Sequence, residues 1–251
     1  MTYKAFFLHY FQEHIGKVHF LYVGRAMFSL HNVGTFIQII SSFVAYLLTV
    51  SPVGYFKAWV ASACGDDTAR DEGFMTLDPL VHCDMIGLIA LFLLGIGWGT
   101  NIPVSLHALN EPYRKLKIAA ALFAPSMMHI VLTFVAAIVW YLTFASSTFI
   151  QTDSSPLMLV LARILLAFIL LNSFLAVMSF FINGITVIAL FASERYATIA
   201  QHAYYIILLG PLALLLVLEL FGIHVLGYMH TAVLYVTFFI GKAIAVLFGI
   251  H

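Results

Sequence analysis

Charged side chains are scarce in this chain of 251 residues. Lys, Arg, Asp and Glu together make up 9% of it, whereas 63% is hydrophobic. Soluble domains carry about 25% charged residues. The formal net charge is zero, so the sequence lacks the basic excess that is typical of nucleic-acid-binding proteins, and we expect no nucleic-acid partner. These deficits exclude an ordinary soluble domain and predict an integral membrane protein.

Cysteine is also rare, and there is no recognisable secretory leader. The two cysteines, Cys64 and Cys83, flank an acidic stretch, and free thiols at a membrane edge are favoured over a disulfide. Residues 1–31 mix charges and histidines with aromatic side chains at near-helical spacing and contain no uninterrupted apolar core. We therefore expect this segment to form an amphipathic helix at the membrane interface.

What the chain has in abundance is long apolar runs. A run of about 20 residues crosses the hydrocarbon core, and five runs reach that length, with a shorter sixth candidate at 85–98. The five are 33–63, 118–145, 157–191, 203–221 and 226–250. The expected fold is an all-α polytopic membrane protein with about six transmembrane segments. We expect three parts: the interfacial segment 1–31, a membrane core over 32–192 and a C-terminal helical hairpin over 193–251.

Two of these runs contain residues that interrupt helices. Pro52 is expected to kink or divide the first run. The run over 157–191 is either one tilted helix or a helix broken near Asn183 and Gly184.

The one strongly polar stretch, residues 65–87, carries the most specific sequence pattern. It reads GDDTARDEGFMTLDPLVHCDMIG, with four acidic residues among its first eight. The pattern resembles the bacterial branch of the site-2 protease family of intramembrane zinc metalloproteases, whose members read GD-x-TA, a glycine, and then TLNPLxHxDPxG. The matching structural-motif positions are Gly65, Asp66, Thr68, Ala69, Thr76, Pro79, His82, Asp84 and Gly87. The chain departs from the pattern at Asp78, where Asn is usual, and at Met85, where Pro is usual.

Weaker echoes of the same family follow in the same order. Gly97-Trp98 resembles a GW segment, Ala124-Pro125 resembles an AGP segment, and Asn172 fits the start of the family's last core helix. The resemblance covers roughly residues 45–190. It implies a site-2-protease-like core with short extended or re-entrant elements, expected around 73–84 and 97–104.

The zinc ligands that the resemblance implies are missing. In the family, two histidines and the general-base glutamate come from an HExxH motif that begins twelve residues before the GD glycine, and a later aspartate completes the set. The matching positions here are Val53, Gly54, Lys57 and Val187, and no HExxH occurs anywhere in the chain. The resemblance therefore predicts a core without catalytic residues, with no cofactor expected and zinc binding not expected.

Two alternatives remain open. A relocated metal site could be formed by His82, His107 and His129, which would make the protein a membrane zinc metallopeptidase with new ligands. Intramembrane histidines, or Glu219 with Lys242, could instead serve a transport or redox accessory subunit.

The favoured interpretation is a pseudoprotease. It is a non-catalytic membrane subunit that binds or scaffolds other integral membrane proteins, in contact with lipid, within a hetero-oligomeric complex. We expect it in the bacterial inner membrane.

Overall fold

The computed structural model of the protein describes residues 33–106, 108, 112–144 and 156–222, and the single positions 225, 228, 235, 239 and 246. All the regular elements of this described part are helices. They are α1 (Val33–Cys64), α2 (Thr68–Asp71), α3 (Pro79–His82), α4 (Met85–Leu94), α5 (Arg114–Phe144), α6 (Pro156–Ala192), α7 (Glu194–His202) and α8 (Tyr204–Leu220). The predicted all-α class is confirmed for these residues.

Three helices are long and apolar enough to cross a membrane, which supports the prediction of an integral membrane protein. The qualifying stretches are Phe36–Cys64 in α1, Arg114–Trp140 in α5 and Val160–Ala192 in α6. Helices α7 and α8 qualify only as a pair and meet at a bend of 60°. The described residues therefore hold three spans, or four if this bent pair is one span.

The remaining predicted segments do not add confirmed spans. Helix α4 has 10 residues, and at 1.5 Å per residue it is about half as long as the ~30 Å hydrocarbon core is thick. Most of the run 226–250 and all of the interfacial segment 1–31 lie outside the described residues. The count of six spans and the three-part division of the chain stay predictions.

Neither of the two helix-interrupting positions divides its helix. Pro52 lies inside α1, which continues beyond it for more than three turns, so of the two outcomes expected for this proline, a kink or a division, the division is ruled out. Helix α6 continues through Asn183 and Gly184, which decides for one helix over a broken one. The Asn183 side chain donates to the Ser179 carbonyl oxygen at 2.8 Å, so the amide finds a partner within its own helix.

The three spanning helices pack against one another, with α5 and α6 in the most extensive contact and α1 against both. One apolar cluster lies around Tyr46, Trp98 and Phe174, and a second around Ile118 and Leu190. Large apolar side chains remain on the outside, as expected where the surroundings are lipid rather than water.

The segment between α1 and α5 carries the acidic motif. Cys83 and Gly99 form an isolated antiparallel bridge, and the Thr100 backbone N–H donates to the His82 carbonyl oxygen at 2.8 Å. Gly87 permits this close approach, because a Cβ there would lie 2.1 Å from the Trp98 carbonyl oxygen. Within the described residues, the extended elements expected around 73–84 and 97–104 are limited to this bridge.

Candidate functional site

Asp66, the second residue of the acidic motif, ties the end of α1 to the distant segment before α5. Its carboxylate is fully buried. Oδ1 accepts from the Thr68 backbone N–H at 3.1 Å and from the Thr68 hydroxyl at 2.6 Å, and Oδ2 accepts from the Ser105 backbone N–H at 2.6 Å. Gly65 has a φ of 102°, a conformation that favours glycine. This part of the motif therefore closes a turn and holds two chain segments together.

His82 is the second buried polar residue of the motif. Its Nε2 lies 2.8 Å from the Thr76 carbonyl oxygen. Because a carbonyl only accepts, Nε2 is the donor, and in the neutral ring Nδ1 then holds the lone pair. Nδ1 is buried without a hydrogen-bond partner among the described residues.

Asp78 accepts from the Leu80 backbone N–H at 2.9 Å and so caps α3, a role that the usual asparagine also performs.

Asp84 caps α4 and is linked to the last described helix. Its Oδ1 accepts from the Gly87 backbone N–H at 2.7 Å, and its Oδ2 accepts from the Tyr205 hydroxyl at 2.7 Å. The Asp84 backbone N–H donates to the Tyr46 hydroxyl at 3.2 Å, which in turn donates to the Trp98 carbonyl oxygen at 3.1 Å. Asp84 therefore connects α4 and α8 through its carboxylate and α1 through its backbone N–H.

Three of the four positions where the family would carry its catalytic residues lie together. Val53, Gly54 and Lys57 line a small cavity of about 70 Å³, and His82 and His129 also line it. Val187, the fourth position, instead belongs to the apolar cluster around Ile118 and Leu190. The structure thus brings the HExxH positions to a cavity but leaves the predicted aspartate position elsewhere.

Gly54 and His82 both line this cavity, and the His82 ring packs closely over Gly54. A Cβ built on Gly54 would lie 2.2 Å from His82 Nδ1 and 2.6 Å from its Cε1. The imidazole therefore occupies the space into which any side chain at position 54 would have to extend. A side chain at position 54 would therefore require the His82 ring to shift.

Lys57 projects into the same cavity from the next turn of α1. The side chain is 4% exposed, and Nζ donates to Asn101 Oδ1 at 3.1 Å. None of the described carboxylates forms an ion pair with it. A buried lysine in a membrane-spanning helix is uncommon, and one that forms no ion pair with a described residue is a candidate functional residue.

These residues do not fit zinc. The two valines have no donor atom, and a protonated ammonium has no lone pair to give a metal. Within the described part of the chain, no group of three or more His, Cys, Asp and Glu side chains is placed to hold a metal ion.

His129 is fixed by a buried polar chain between α1, α5 and α6. Asn172 donates from Nδ2 to the Phe168 carbonyl oxygen at 2.9 Å and to Thr49 Oγ1 at 2.8 Å, so its Oδ1 faces His129 Nδ1 at 2.9 Å. Because that oxygen only accepts, His129 Nδ1 donates. In the neutral ring, Nε2 then holds the lone pair.

The candidates for a relocated site are only partly placed. His82 and His129 share the cavity, whereas His107 lies outside the described residues, so the three-histidine set stays a hypothesis. The side chain of Glu219 and all of Lys242 also lie outside them.

Sequence reasoning missed Asn101 and Tyr205, the partners of Lys57 and Asp84. No local pattern marks either residue, because each acts through a partner far away along the chain.

Comparison with known proteins finds similarity over one segment. A stretch of 55 residues is 42% identical to the Bacillus subtilis (strain 168) protein named "Putative zinc metalloprotease YwhC". The stretch is 22% of this chain and 25% of that protein, so the chain matches about a quarter of its relative's length. No family model matches the chain, and no solved structure matches it. The chain is therefore an integral membrane protein that is similar, in one segment, to a protein named as a zinc metalloprotease.

Proposed function

We propose that this protein is a non-catalytic member of the site-2 protease family that binds or scaffolds other membrane proteins. The observation that carries the proposal is that Gly54, the position of the family's general base, lines the cavity but has no side chain that could take up a proton.

The neighbouring positions support the same conclusion. Val53 offers no ligand atom, and the Lys57 ammonium donates to Asn101 instead of receiving a metal. Without a metal, the chemistry that polarises a peptide carbonyl and activates a water has no source in these residues. The residues that are missing at these positions are the ones that the family uses for catalysis.

The motif residues that hold the frame keep their partners, in contrast to the catalytic positions. Asp66 and Asp84 each accept hydrogen bonds that join distant segments. A retained frame with altered catalytic positions favours a role in assembly. Large apolar side chains on the outer face of α6, such as Phe181 and Ile188, offer surface to lipid or to partner helices. We place the protein in the bacterial inner membrane, as part of a hetero-oligomeric complex.

The test combines metal content with the state of assembly. The protein is crosslinked in its native membranes, extracted in mild detergent and analysed for bound zinc, for proteolysis of unfolded membrane substrates and for partners. We expect substoichiometric zinc, no cleavage and a partner of fixed stoichiometry whose own purification returns this chain. A lone monomer contradicts the scaffold role.

A matched variant tests the catalytic part separately. The triple substitution Val53→His, Gly54→Glu and Lys57→His restores the HExxH letters. Because Val187, the position of the third ligand, still lacks a carboxylate, we expect this variant to gain neither stoichiometric zinc nor activity. Stoichiometric zinc in the unmodified protein, with cleavage that a chelator abolishes, would instead establish the metallopeptidase with relocated ligands; His82 and His129, which share the cavity, are its first candidates.

A further inference from the structure

Helices α5, α6 and α7 carry more positive than negative charge. Glu194 is their only acidic residue, and it forms an ion pair with Arg114 at 2.7 Å. That pair holds the start of α7 against the start of α5, so the adjacent residues Lys115 and Arg195 lie at the same edge of the helix bundle. Both are exposed, and neither forms an ion pair with another described residue. This edge therefore presents two positive charges that Glu194 does not offset.

An apolar face of α6 starts at this edge. Lys115 Nζ lies 5.7 Å from the centre of the Phe191 ring, so the ammonium sits at one end of that face. Residues three and four apart lie on the same side of a helix. On this side of α6 the large exposed side chains are Val177, Phe180, Phe181, Ile188 and Phe191. They form an apolar stripe, the α6 stripe, that extends over about four turns.

Gly184 makes a notch in the α6 stripe. It lies four residues from both Phe180 and Ile188, and a Cβ built on it would meet nothing within 4 Å. At 1.5 Å per residue, the notch is roughly 10 Å along the helix from Phe191. An acyl chain that starts beside Lys115 can therefore reach the glycine and lie between the larger side chains.

The positive charge favours a lipid over a protein helix as the occupant of this face. Every anionic phospholipid presents its phosphate at the membrane edge and its acyl chains directly beneath, and basic pockets at this level bind such headgroups. A partner helix would match Lys115 and Arg195 only if it carried an acidic residue at that one level.

We propose that this side of α5 and α6 is a binding site for an anionic phospholipid, of which phosphatidylglycerol is the simplest example. The phosphate accepts from Lys115 and Arg195, and one acyl chain lies along Phe191 and Ile188 into the notch at Gly184. Because the headgroup contacts both α5 and α7, it acts together with the Arg114–Glu194 ion pair in holding these two helices to one another. The proposal requires that the chain spans a membrane and does not depend on the scaffold role.

Phosphatidylcholine provides a matched probe, because it can carry the same acyl chains as phosphatidylglycerol but has no net charge. The purified full chain is melted in a mild non-ionic detergent at fixed pH and ionic strength while either lipid, or inorganic phosphate, is added stepwise. Ligand binding to the folded state raises the melting temperature with concentration. Each basic residue beside an anionic headgroup contributes about fivefold in affinity, so phosphatidylcholine should bind on the order of 25-fold more weakly. Inorganic phosphate should have almost no effect.

Two pairs of variants locate the headgroup and the acyl chain. Lys115→Gln and Arg195→Gln should each weaken phosphatidylglycerol binding about fivefold. Arg70→Gln is their control, because Arg70 is also exposed but pairs with Asp67 at 3.2 Å. It should leave the affinity unchanged.

The second pair compares two helical glycines at which a Cβ would meet nothing within 4 Å. Gly184→Leu fills the notch in the α6 stripe and should weaken the binding of phosphatidylglycerol several-fold. Gly210→Leu makes the same change on α8 and should keep the affinity of the unmodified protein. Because both glycines are open to their surroundings, neither substitution should prevent folding.

Three results would overturn the proposal. They are equal affinities for the two lipids in the unmodified protein, an unchanged affinity for phosphatidylglycerol in both Lys115→Gln and Arg195→Gln, and equal affinities in Gly184→Leu and Gly210→Leu. A response to inorganic phosphate as large as that to phosphatidylglycerol would also contradict it, since the acyl chain would then contribute nothing. A protein that has no partner but keeps the lipid response would refute only the proposed scaffold function.

Discussion

Replacing Asp66 by alanine is expected to destabilise the protein strongly, because this one carboxylate joins two segments far apart in the chain. Its oxygens accept from the backbone N–H groups of Thr68 and Ser105 and from the Thr68 hydroxyl. The substitution removes both acceptor oxygens, and with them all three hydrogen bonds, at a site that is 0% exposed. The hydroxyl can rotate towards another acceptor, but the two backbone donors cannot.

The size of the effect follows from those two donors. Each buried donor left without a partner costs about 1–3 kcal/mol. Thr68 and Ser105 are themselves only half-buried, so water can partly replace the carboxylate, and the loss in free energy of unfolding should be about 2–5 kcal/mol. Asp66→Asn keeps one accepting oxygen and sets its NH₂ group against a donor, so it should lose about half as much.

The assay is unfolding in mixed micelles, in which a denaturing detergent is titrated against a mild one and helicity is followed by circular dichroism. Asp71→Ala is the control, since Asp71 is an exposed acid of the same motif. We expect the order Asp71→Ala, Asp66→Asn, Asp66→Ala in increasing sensitivity. If Asp66→Ala unfolds together with the control, the architectural role of this motif is wrong.

Two further predictions follow from single contacts. Gly54→Ala places a Cβ 2.2 Å from His82 Nδ1 and should lower the free energy of unfolding by about 1–3 kcal/mol in the same assay. Gly184→Ala is the control, because a Cβ there meets nothing within 4 Å, and it should be neutral or stabilise α6 by up to about 1 kcal/mol. Equal stabilities of the two variants would show that His82 moves aside freely. Burial raises the pKa of the Cys83 thiol above its ordinary value, so in a Cys64→Ser background its alkylation at pH 7 should be slower than that of a free thiol and should keep accelerating up to pH 9. A rate at pH 7 equal to that of the free thiol would contradict the burial of this group.

Two hydrogen bonds of the acidic motif are local enough for a sequence pattern to indicate them, although the sequence analysis predicted neither. Asp78 caps α3 through Leu80, two residues away, and Asp84 caps α4 through Gly87, three residues away. Such caps depend on residue type and spacing. The positive φ of Gly65 is likewise a local feature, and it too was not predicted.

Helix continuity was less accessible to sequence reasoning. Pro52 removes one hydrogen bond from α1, and the pattern alone could not show that neighbouring helices hold α1 together across it. Asn183 and Gly184 likewise left two possibilities for α6. Packing against adjacent helices can outweigh a local break, and packing is not encoded at any single position.

By itself, the sequence determined the membrane character, the helical class and the absence of zinc-ligand residues at the expected positions, because hydropathy and residue identity are local properties. Only the tertiary structure decided that the His82 ring fills the space above Gly54, that Lys57 meets Asn101 and that Val187 lies away from the cavity. These facts depend on how α1, α6 and the segment between α1 and α5 approach one another. Distances between residues remote in the chain are set by that approach.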